Sequence, residues 1–200
     1  RNTLCGDEMA RAKHQGMDPY DLLNASAENS SPGAKRLIYL PYLSGERAPY
    51  TDPNLRGSFI GLTQSHSKGD ITRSIMEGIG YGMKQISESI LELKPLKLSR
   101  VIVSGGGSHS DLWRQILSDI FQLPVYTVNG AKEGGAYGAC LVGGIGAGFW
   151  GSLEEACETM KVTTENLPNV RNKEVYEEMY NIYCDMVPAL KKQFDRLATA

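Results

Sequence analysis

The stretch that decides the fold is residues 100–121, which read RVIVSGGGSHSDLWRQILSDIF. It opens on an apolar run, RVIV, of the kind found in strands at the centre of a sheet. Three consecutive glycines, Gly105–Gly107, follow this run. The second half then carries apolar residues at helical spacing, namely Leu112, Trp113, Ile116, Leu117, Ile120 and Phe121. The stretch therefore predicts a strand, a glycine-rich turn and a helix, in that order.

The three glycines raise the question of what such a turn is for. A glycine is required where a β-carbon would collide with a ligand or where φ is positive. A strand, a glycine loop and a helix in this order present free backbone N–H groups and a positive helix end to an anion. Ser104, Ser108 and Ser110 can cap the helix or donate hydrogen bonds to phosphate or ribose oxygens. We therefore expect a nucleotide or phosphate loop here, while a tight turn that serves only packing stays an alternative.

The motifs of several other site classes are absent from this sequence. It contains no GxxxxGKS/T phosphate loop and no GxSxG nucleophile elbow, and at the glycine loop Ser110 stands where a GxGxxG dinucleotide fingerprint has its third glycine. Since His14, His66 and His109 lack the spacing of metal ligands, we expect no metal held by side chains. His109 lies beside the glycines, and we interpret it as a solvated loop residue rather than a catalytic base.

The composition is that of a soluble globular chain without a polyanionic partner. Of the 200 residues, 41% are hydrophobic and 22% are charged, and the formal net charge is −2. This balance gives no electrostatic reason to expect binding to nucleic acid or to an acidic membrane. No apolar run approaches the roughly 20 residues that span a bilayer. The polar opening and four widely spaced cysteines without a CxxC pair favour a reduced, cytoplasmic protein; these are Cys5, Cys140, Cys157 and Cys184.

Strands and helices alternate from residue 100 onward, which predicts an α/β fold. The predicted strands are 36–43, 57–62, 100–103 and 124–128. The predicted helices are 2–14, 18–25, a long helix from the cap Asp70 to Leu93, the helix after the glycines, 133–148, 152–160 and 173–198. We expect the apolar stripe of the long helix to be core; its members are Ile71, Ile75, Ile79, Met83, Ile86, Ile90 and Leu93. Pro188 is expected to kink the last helix or to split it into two.

A family resemblance extends these patterns. The segment GSFIGLTQSHSKGDITRSIMEG (57–78) resembles the second signature of the FGGY family of carbohydrate kinases, with every slot of that signature filled. The segment LPYLSGERAPYTDPNLRG before it resembles the sugar-kinase stretch in which GER-x-P precedes Asp-Pro and Arg-Gly. After it, SGGGSHSDLWRQILSDIFQLPV resembles the family's adenosine-binding segment, and EGGAYGACLVGG resembles its glycine-rich helix. Four motifs in the family's order, across about residues 37–148, form a specific signal.

The resemblance implies a fold and a domain. It implies an α/β, ribonuclease H-like lobe of the actin and hexokinase superfamily, with a mixed sheet flanked by helices and incomplete at its N-terminal edge. Residues 1–200 would be the C-terminal, nucleotide-binding lobe of a two-lobe sugar kinase. The sugar-binding lobe and the aspartate that accepts the sugar's proton would lie outside this chain, so no residue here is assigned a catalytic role.

The resemblance also implies ligands. ATP would bind at Gly105, Gly106, Gly107 and Ser110, with Mg²⁺ held mainly through the ATP phosphates, and the γ-phosphoryl group would pass to a ketose or polyol hydroxyl. Xylulose kinases are the most similar group, while gluconate, ribulose and glycerol kinases stay alternatives. Other functions also stay open, either a non-catalytic nucleotide-sensing domain on the actin-like fold or a phosphate-binding domain unrelated to sugars. We further expect a homo-oligomer.

Two further groups of residues carry open interpretations. Glu46 and Arg47 lie in a loop expected to face the cleft, where Arg47 could contact phosphate or form an ion pair that anchors the loop. Asp52 and Arg56 carry the same two alternatives. A glycine-rich segment is expected to admit close helix packing beside the nucleotide; its glycines are Gly134, Gly135 and Gly138.

Overall fold

Two structural units divide the chain, and the computed structural model describes residues 5–93 and 96–198. Unit 1 comprises Arg1–Leu96 and Arg171–Ala200, and unit 2 comprises Lys97–Val170. The elements of unit 1 are α1 Gly6–Gln15, α2 Pro19–Glu28, β1 Ile38–Leu40, β2 Ser58–Ile60, α3 Lys68–Leu93 and α7 Lys173–Ala198. Those of unit 2 are β3 Val101–Ile102, α4 Asp111–Phe121, β4 Val125–Val128, α5 Gly135–Gly146, α6 Leu153–Cys157 and β5 Val162–Asn166. The start of the predicted first helix, residues 2–4, lies outside the described residues.

The second helix begins as its sequence predicts, and it holds the start of α3. Asp18 caps α2 by accepting a hydrogen bond from the Tyr20 amide (2.9 Å), and Pro19 occupies the first turn. Helix α3 comes so close to α2 that a β-carbon on Gly69 would lie 2.3 Å from the Ser26 carbonyl oxygen. Only glycine allows this approach.

The cap of α3 is Ser67 rather than Asp70, so the predicted cap was wrong by three positions. The Ser67 amide donates to the Asp70 carboxylate (2.7 Å), and the Asp70 amide donates to the Ser67 hydroxyl (3.3 Å). Asp70 also accepts from the Ser30 hydroxyl (2.6 Å) and pairs with Lys35 (2.9 Å). Burial by itself would raise the pKa of Asp70, but these hydrogen bonds outweigh it and hold the pKa far below its ordinary value.

The face of α3 that unit 1 buries is the opposite of the predicted one. The apolar stripe was expected to be core, yet Ile79, Met83 and Ile90 are 40%, 39% and 53% exposed. The buried face instead carries polar and small residues and packs against β1, α2 and α7. Its members are Gly69, Asp70, Arg73, Ser74, Glu77, Gly78, Gly80 and Tyr81.

A buried ion pair explains how a polar face can lie inside. Arg73 Nε donates to Glu77 Oε1 (2.8 Å), and Arg73 Nη2 donates to the Tyr176 hydroxyl of α7 (2.9 Å). Glu77 Oε1 also accepts from the Gly33 amide and from the Tyr176 hydroxyl, both at 3.0 Å. Burial raises the pKa of Glu77, and the nearby Arg73 guanidinium opposes that shift. The pair joins α3, the 30–36 segment and α7, where isolated buried charges would be costly.

Helix α7 packs against α3 through tyrosines and continues through its proline. It is one helix from Lys173 to Ala198 with Pro188 inside it, so of the two alternatives, a kink or a split into two helices, the split does not occur. The Tyr81 ring of α3 lies 5.5 Å from the Tyr183 ring and 6.0 Å from the Tyr180 ring. The Tyr183 hydroxyl shares a hydrogen bond of 2.7 Å with that of Tyr42.

Unit 2 is built around a three-stranded mixed sheet in the order β3-β4-β5. Strand β3 runs parallel to β4, with Val101 opposite Val125, and β5 runs antiparallel to β4. Among the described residues β4 is therefore the central strand, whereas the sequence predicted a central position for β3. Helix α4 covers the sheet as predicted, with Ile116, Leu117 and Ile120 at most 2% exposed. Strand β5 was missed because VTTEN has no apolar alternation.

No helix within 5–93 and 96–198 is both long and apolar enough to cross a membrane. The four cysteines are free thiols.

Replacing Gly78 with alanine tests the approach of α3 to β1. The added β-carbon would lie 2.2 Å from the Tyr39 carbonyl oxygen, so the backbone would have to shift. We expect Gly78→Ala to lower the free energy of unfolding by about 1–3 kcal/mol, the range for overpacking, as measured by urea denaturation. Gly143→Ala in α5 is the control, because its β-carbon would meet nothing within 4 Å. Equal losses in both variants would contradict this account.

Candidate functional site

The glycine loop lies where two parallel strands end. Strands β3 and β4 run in the same direction, so the loops that follow them meet at one edge of the sheet. The Gly105 amide donates to the Ala131 carbonyl (2.7 Å), which joins the loop after β3 to the loop after β4. Ligands of open α/β sheets bind at such carboxyl ends.

Gly105 and Gly106 leave an open backbone surface in this loop. Gly105 has φ +80°, which side chains rarely adopt, and a β-carbon on either glycine would meet nothing within 4 Å. Gly106 begins a short 3₁₀ turn, Gly106–His109, and no acceptor for the amides of Gly106 and Gly107 is found among the described residues. Contacts within this chain therefore do not explain why Gly106 is a glycine, whereas a ligand lying against the backbone would.

The remaining loop residues have structural partners. A β-carbon on Gly107 would lie 3.1 Å from Trp113 Nε1, so this glycine serves packing against the indole. The Ser110 hydroxyl caps α4 by accepting from the Trp113 amide (3.1 Å), and the Ser108 hydroxyl donates to the Gly105 carbonyl (2.7 Å). Of the four predicted contact residues, Gly105 and Gly106 are thus the open ones, while Gly107 and Ser110 also serve the fold.

Arg114, whose position sequence reasoning did not single out, holds the loop to its unit. Arg114 is only 7% exposed. Its guanidinium donates to the Ser108 carbonyl (2.6 Å), to the Asp111 carboxylate (2.8 Å) and to the Asn166 side-chain oxygen (2.9 Å). Asn166, at the end of β5, in turn donates to Asp111 (3.1 Å). One side chain therefore connects the glycine loop, the first turn of α4 and the strand that was not predicted.

A cavity of about 410 Å³ opens beside the loop. Its lining combines hydroxyl, amide and basic groups, and is made of Ser108, His109, Arg114, Thr127, Val128, Asn129, Gly130, Ala131, Lys132, Thr163 and Thr164. The hydroxyl of Thr127 hydrogen-bonds those of Thr163 (2.8 Å) and Thr164 (2.5 Å), joining β4 to β5 in the cavity wall. The sequence predicted none of this wall beyond the loop itself.

Comparison with protein families decides the relationship. The profile of the C-terminal domain of the FGGY family of carbohydrate kinases matches residues 2–147. A gluconokinase of Bacillus licheniformis is 33% identical over 198 residues, which are 99% of this chain. The chain belongs to the FGGY family of carbohydrate kinases. These matches confirm the family that the four motifs predicted. Members of this family are phosphotransferases.

Other FGGY relatives are similar at comparable levels. A xylulose kinase of Staphylococcus epidermidis is 35% identical over 164 residues, 82% of this chain and 32% of that protein. The ligand-bound xylulose kinase from Lactobacillus acidophilus has a TM-score of 0.80 at 28% identity, over 96% of this chain and 39% of that one. The gluconate kinase of that organism has a TM-score of 0.79 at 29% identity, over 90% of this chain and 36% of that one.

These similarities confirm the predicted fold, and they show how much of a related kinase the chain covers. The chain has the actin and hexokinase-like fold of the FGGY sugar kinases. It spans only 38% of the length of the Bacillus licheniformis gluconokinase. Xylulose and gluconate kinases match it about equally well, so the preference for xylulose stays a prediction.

The glycine-rich segment of the FGGY pattern packs less closely than predicted. Gly134 has φ +46°, and its β-carbon would lie 3.5 Å from the Ser104 hydroxyl, beside the glycine loop. A β-carbon on Gly135 or Gly138 would meet nothing within 4 Å, so close packing at these two positions was wrong. In α5 only Leu141 is buried, because little of unit 2 lies against this helix.

The GERAPY loop, in unit 1, is anchored, but not by the residue expected. Asp52 pairs with Lys191 of α7 (3.0 Å), and the Asn54 amide and this lysine lower the pKa of Asp52. Arg56 donates to the Pro53 and Leu55 carbonyls (3.0 and 2.9 Å). For Asp52 and Arg56 the anchoring interpretation is therefore the one the structure supports.

Glu46 and Arg47 form no ion pair with each other. The Glu46 carboxylate accepts from the amides of Arg47 (2.7 Å) and Ala48 (3.3 Å), and so shapes the loop. Arg47 is exposed, and no carboxylate within the described ranges lies at ion-pair distance from it. Of the two alternatives for Arg47, the anchoring ion pair is therefore not formed within the described residues.

Arg114→Met tests how much the stability of unit 2 depends on the hydrogen bonds of the Arg114 guanidinium, which we call the Arg114 clamp. The substitution keeps an unbranched side chain but leaves the Ser108 carbonyl and the Asn166 oxygen without their donor. We expect the free energy of unfolding to fall by about 1–3 kcal/mol, the cost of buried groups that lose a partner. Arg100→Met, at an exposed position of the same unit, is the matched control and should change stability little. A loss of similar size at Arg100, measured in the same urea titration, would contradict the clamp.

Proposed function

We propose that this chain is the C-terminal, nucleotide-binding lobe of a two-lobe carbohydrate kinase that transfers the γ-phosphoryl group of ATP to a sugar hydroxyl. The observation that carries the proposal is the open backbone of Gly105 and Gly106 at the carboxyl end of β3. Membership of the FGGY family supports the reaction class. The length that the chain lacks relative to its relatives is assigned to a lobe that binds the sugar.

The loop would act on ATP through its backbone. The amides of Gly106 and Gly107 supply donors, and the amino end of α4 supplies a positive partial charge, so the phosphates would bind between them. Gly106 lets the nucleotide lie directly against the main chain, and the cavity leaves room on the side of His109. Arg114 keeps the Ser108 carbonyl in place and so fixes the shape of the loop before ATP arrives. Phosphoryl transfer depends mainly on such positioning and on charge stabilisation.

The metal and the base of the reaction are assigned elsewhere. Mg²⁺ would be held mainly by the ATP phosphates, where it would neutralise charge on the transferred group. No residue of this chain is proposed as the base; we assign that role to an aspartate in the sugar-binding lobe. This division fits a chain whose open loop offers donors, which suit phosphate oxygens, rather than carboxylates.

Two sugars are proposed as acceptors, in order. D-Xylulose comes first, because GERAPY, the GGG-x-x-S-x-x-W-R-Q run and the tyrosine-rich end resemble xylulose kinases. Gluconate comes second, because the Bacillus licheniformis gluconokinase aligns with 99% of this chain, against 82% for the Staphylococcus epidermidis xylulose kinase.

Gly106→Val in the whole kinase tests the ATP site. A valine side chain would occupy the space where the nucleotide is proposed to lie, so the KM for ATP should rise far more than the KM for sugar. The expected loss in kcat/KM for ATP is about 2–4 kcal/mol, the scale of one preorganised donor. Because this position has open space around it, the melting temperature should stay unchanged.

Gly78→Ala provides the opposite pattern as a control. It should lower the melting temperature without changing the KM for ATP, because its β-carbon would meet β1 and not the loop. ATP saturation curves and melting temperatures of both variants separate the two effects. Normal ATP affinity in a folded Gly106→Val protein would show that the nucleotide site lies elsewhere.

An ADP-release assay of the whole kinase tests the reaction and the sugar. We expect turnover with D-xylulose or gluconate at a kcat/KM at least about tenfold above that for ribulose and glycerol. The 200-residue chain alone should give no turnover, because the proposed base and sugar lobe lie outside it. Turnover by this chain alone, free of contaminating kinase, would disprove the division of roles between lobes.

A further inference from the structure

The long helix of unit 1 has an apolar side that unit 1 covers only in part: four stripe residues are exposed, namely Ile79, Met83, Ile90 and Leu93, and the other three are half-buried. The packed face of α3 carries a buried residue at every fourth position, namely Arg73, Glu77 and Tyr81. A member of the apolar stripe lies two positions after each of them. Two positions correspond to a rotation of about 200° around an α-helix. The apolar stripe therefore projects from the side opposite the packed face.

Between Ile71 and Leu93, this side of the helix carries no charge and is mostly apolar, although Thr72 also lies on it. The charged residues of α3 between Ile71 and Leu93 are all on the packed half of the helix, namely Arg73, Glu77, Lys84, Glu88 and Glu92. The stripe consists of five isoleucines, one leucine and Met83, and it extends over roughly 33 Å of helix. A helix that is apolar on one side and packed on the other is typical of an interior layer.

We propose that the apolar stripe is the surface against which the polypeptide preceding residue 1 packs in the longer kinase. This inference rests on the proposed function only for the existence of that longer polypeptide. The matched profile is that of a C-terminal domain, and the chain spans 38% of the related gluconokinase, so ample additional chain is expected on the amino-terminal side.

The start of the described chain points to the same occupant. Cys5, the first described residue, lines a cavity of about 300 Å³ together with Lys68, Ile71, Thr72 and Ile75, at the amino end of the stripe. The ion pair of Lys68 with Glu8 (2.7 Å) holds α1 there. The first described residue therefore lies beside the amino end of the stripe.

A tethered segment has an advantage over a second copy of the chain. A segment joined beside the stripe has an effective concentration in the millimolar range, well above that of a free partner. The absence of charge on the stripe also suits a permanent interior contact better than a reversible one.

Thiol protection in the whole kinase tests the proposal. Ile90→Cys places a thiol on the stripe, and Glu92→Cys places one on the same turn but off the stripe, at an exposed position. Alkylation by iodoacetamide is followed at each site by mass spectrometry, relative to the urea-unfolded protein. We expect the Ile90→Cys thiol to be protected at least about a hundredfold, and the Glu92→Cys thiol to react at nearly its unfolded rate.

Three results would overturn the proposal. The first is equal reactivity of the two thiols in the folded kinase. The second is protection of the Ile90→Cys thiol that disappears on ~100-fold dilution, which would assign the cover to a second copy. The third is the same protection in the 200-residue chain, with folding checked by circular dichroism, which would place the cover within these residues. Protection in a protein without sugar kinase activity would leave this inference standing and disprove the proposed function.

Discussion

The buried ion pair between Arg73 and Glu77 determines how α3 is oriented, and the rest of unit 1 depends on that orientation. Both charges lie within a few per cent of complete burial, and each has hydrogen-bond partners besides the other. Removing one partner from such a pair would leave a buried charge uncompensated, at a cost of about 3–5 kcal/mol. The α3 helix therefore turns its polar face inward, toward Tyr176 and the Gly33 amide. Its apolar stripe must then face outward.

The same physical principle organises unit 2 on a smaller scale. Arg114 is buried, and its guanidinium donates to two nearby acceptors, on Ser108 and Asp111, and to one that is distant in sequence, on Asn166. Since each acceptor has a fixed position relative to the planar guanidinium, the side chain sets the distance between the glycine loop and β5. The loop's order therefore does not require side chains at Gly105 and Gly106, so the space beside their α-carbons can stay open. An open backbone with a fixed shape is what a preorganised phosphate site requires.

The two networks have different relations to function. The pair in unit 1 lies in the signature that identifies the family, yet its contacts are with the fold: it joins α3 to α7 and to the 30–36 segment. The clamp in unit 2 directly holds a residue of the glycine loop. A motif that identifies a family therefore need not contain residues that touch its ligands. Arg114 lies in the segment that resembles the adenosine-binding motif, and it holds the glycine loop through the Ser108 carbonyl.

The sequence by itself determined the local elements, the family and the position of the glycine loop. Helical spacing placed Ile116, Leu117 and Ile120 of α4 in the core, and Asp18 with Pro19 marked the start of α2, because these signals depend on neighbours a few residues away. Only the tertiary structure decided which side of α3 is buried, since the partners of Arg73 and Glu77 come from residues 33 and 176. It likewise decided that Gly106 is open while Gly107 packs on Trp113, and that β5 completes the sheet. These outcomes depend on contacts between distant segments, and hydrophobic periodicity carries no information about a polar face that is buried through paired charges.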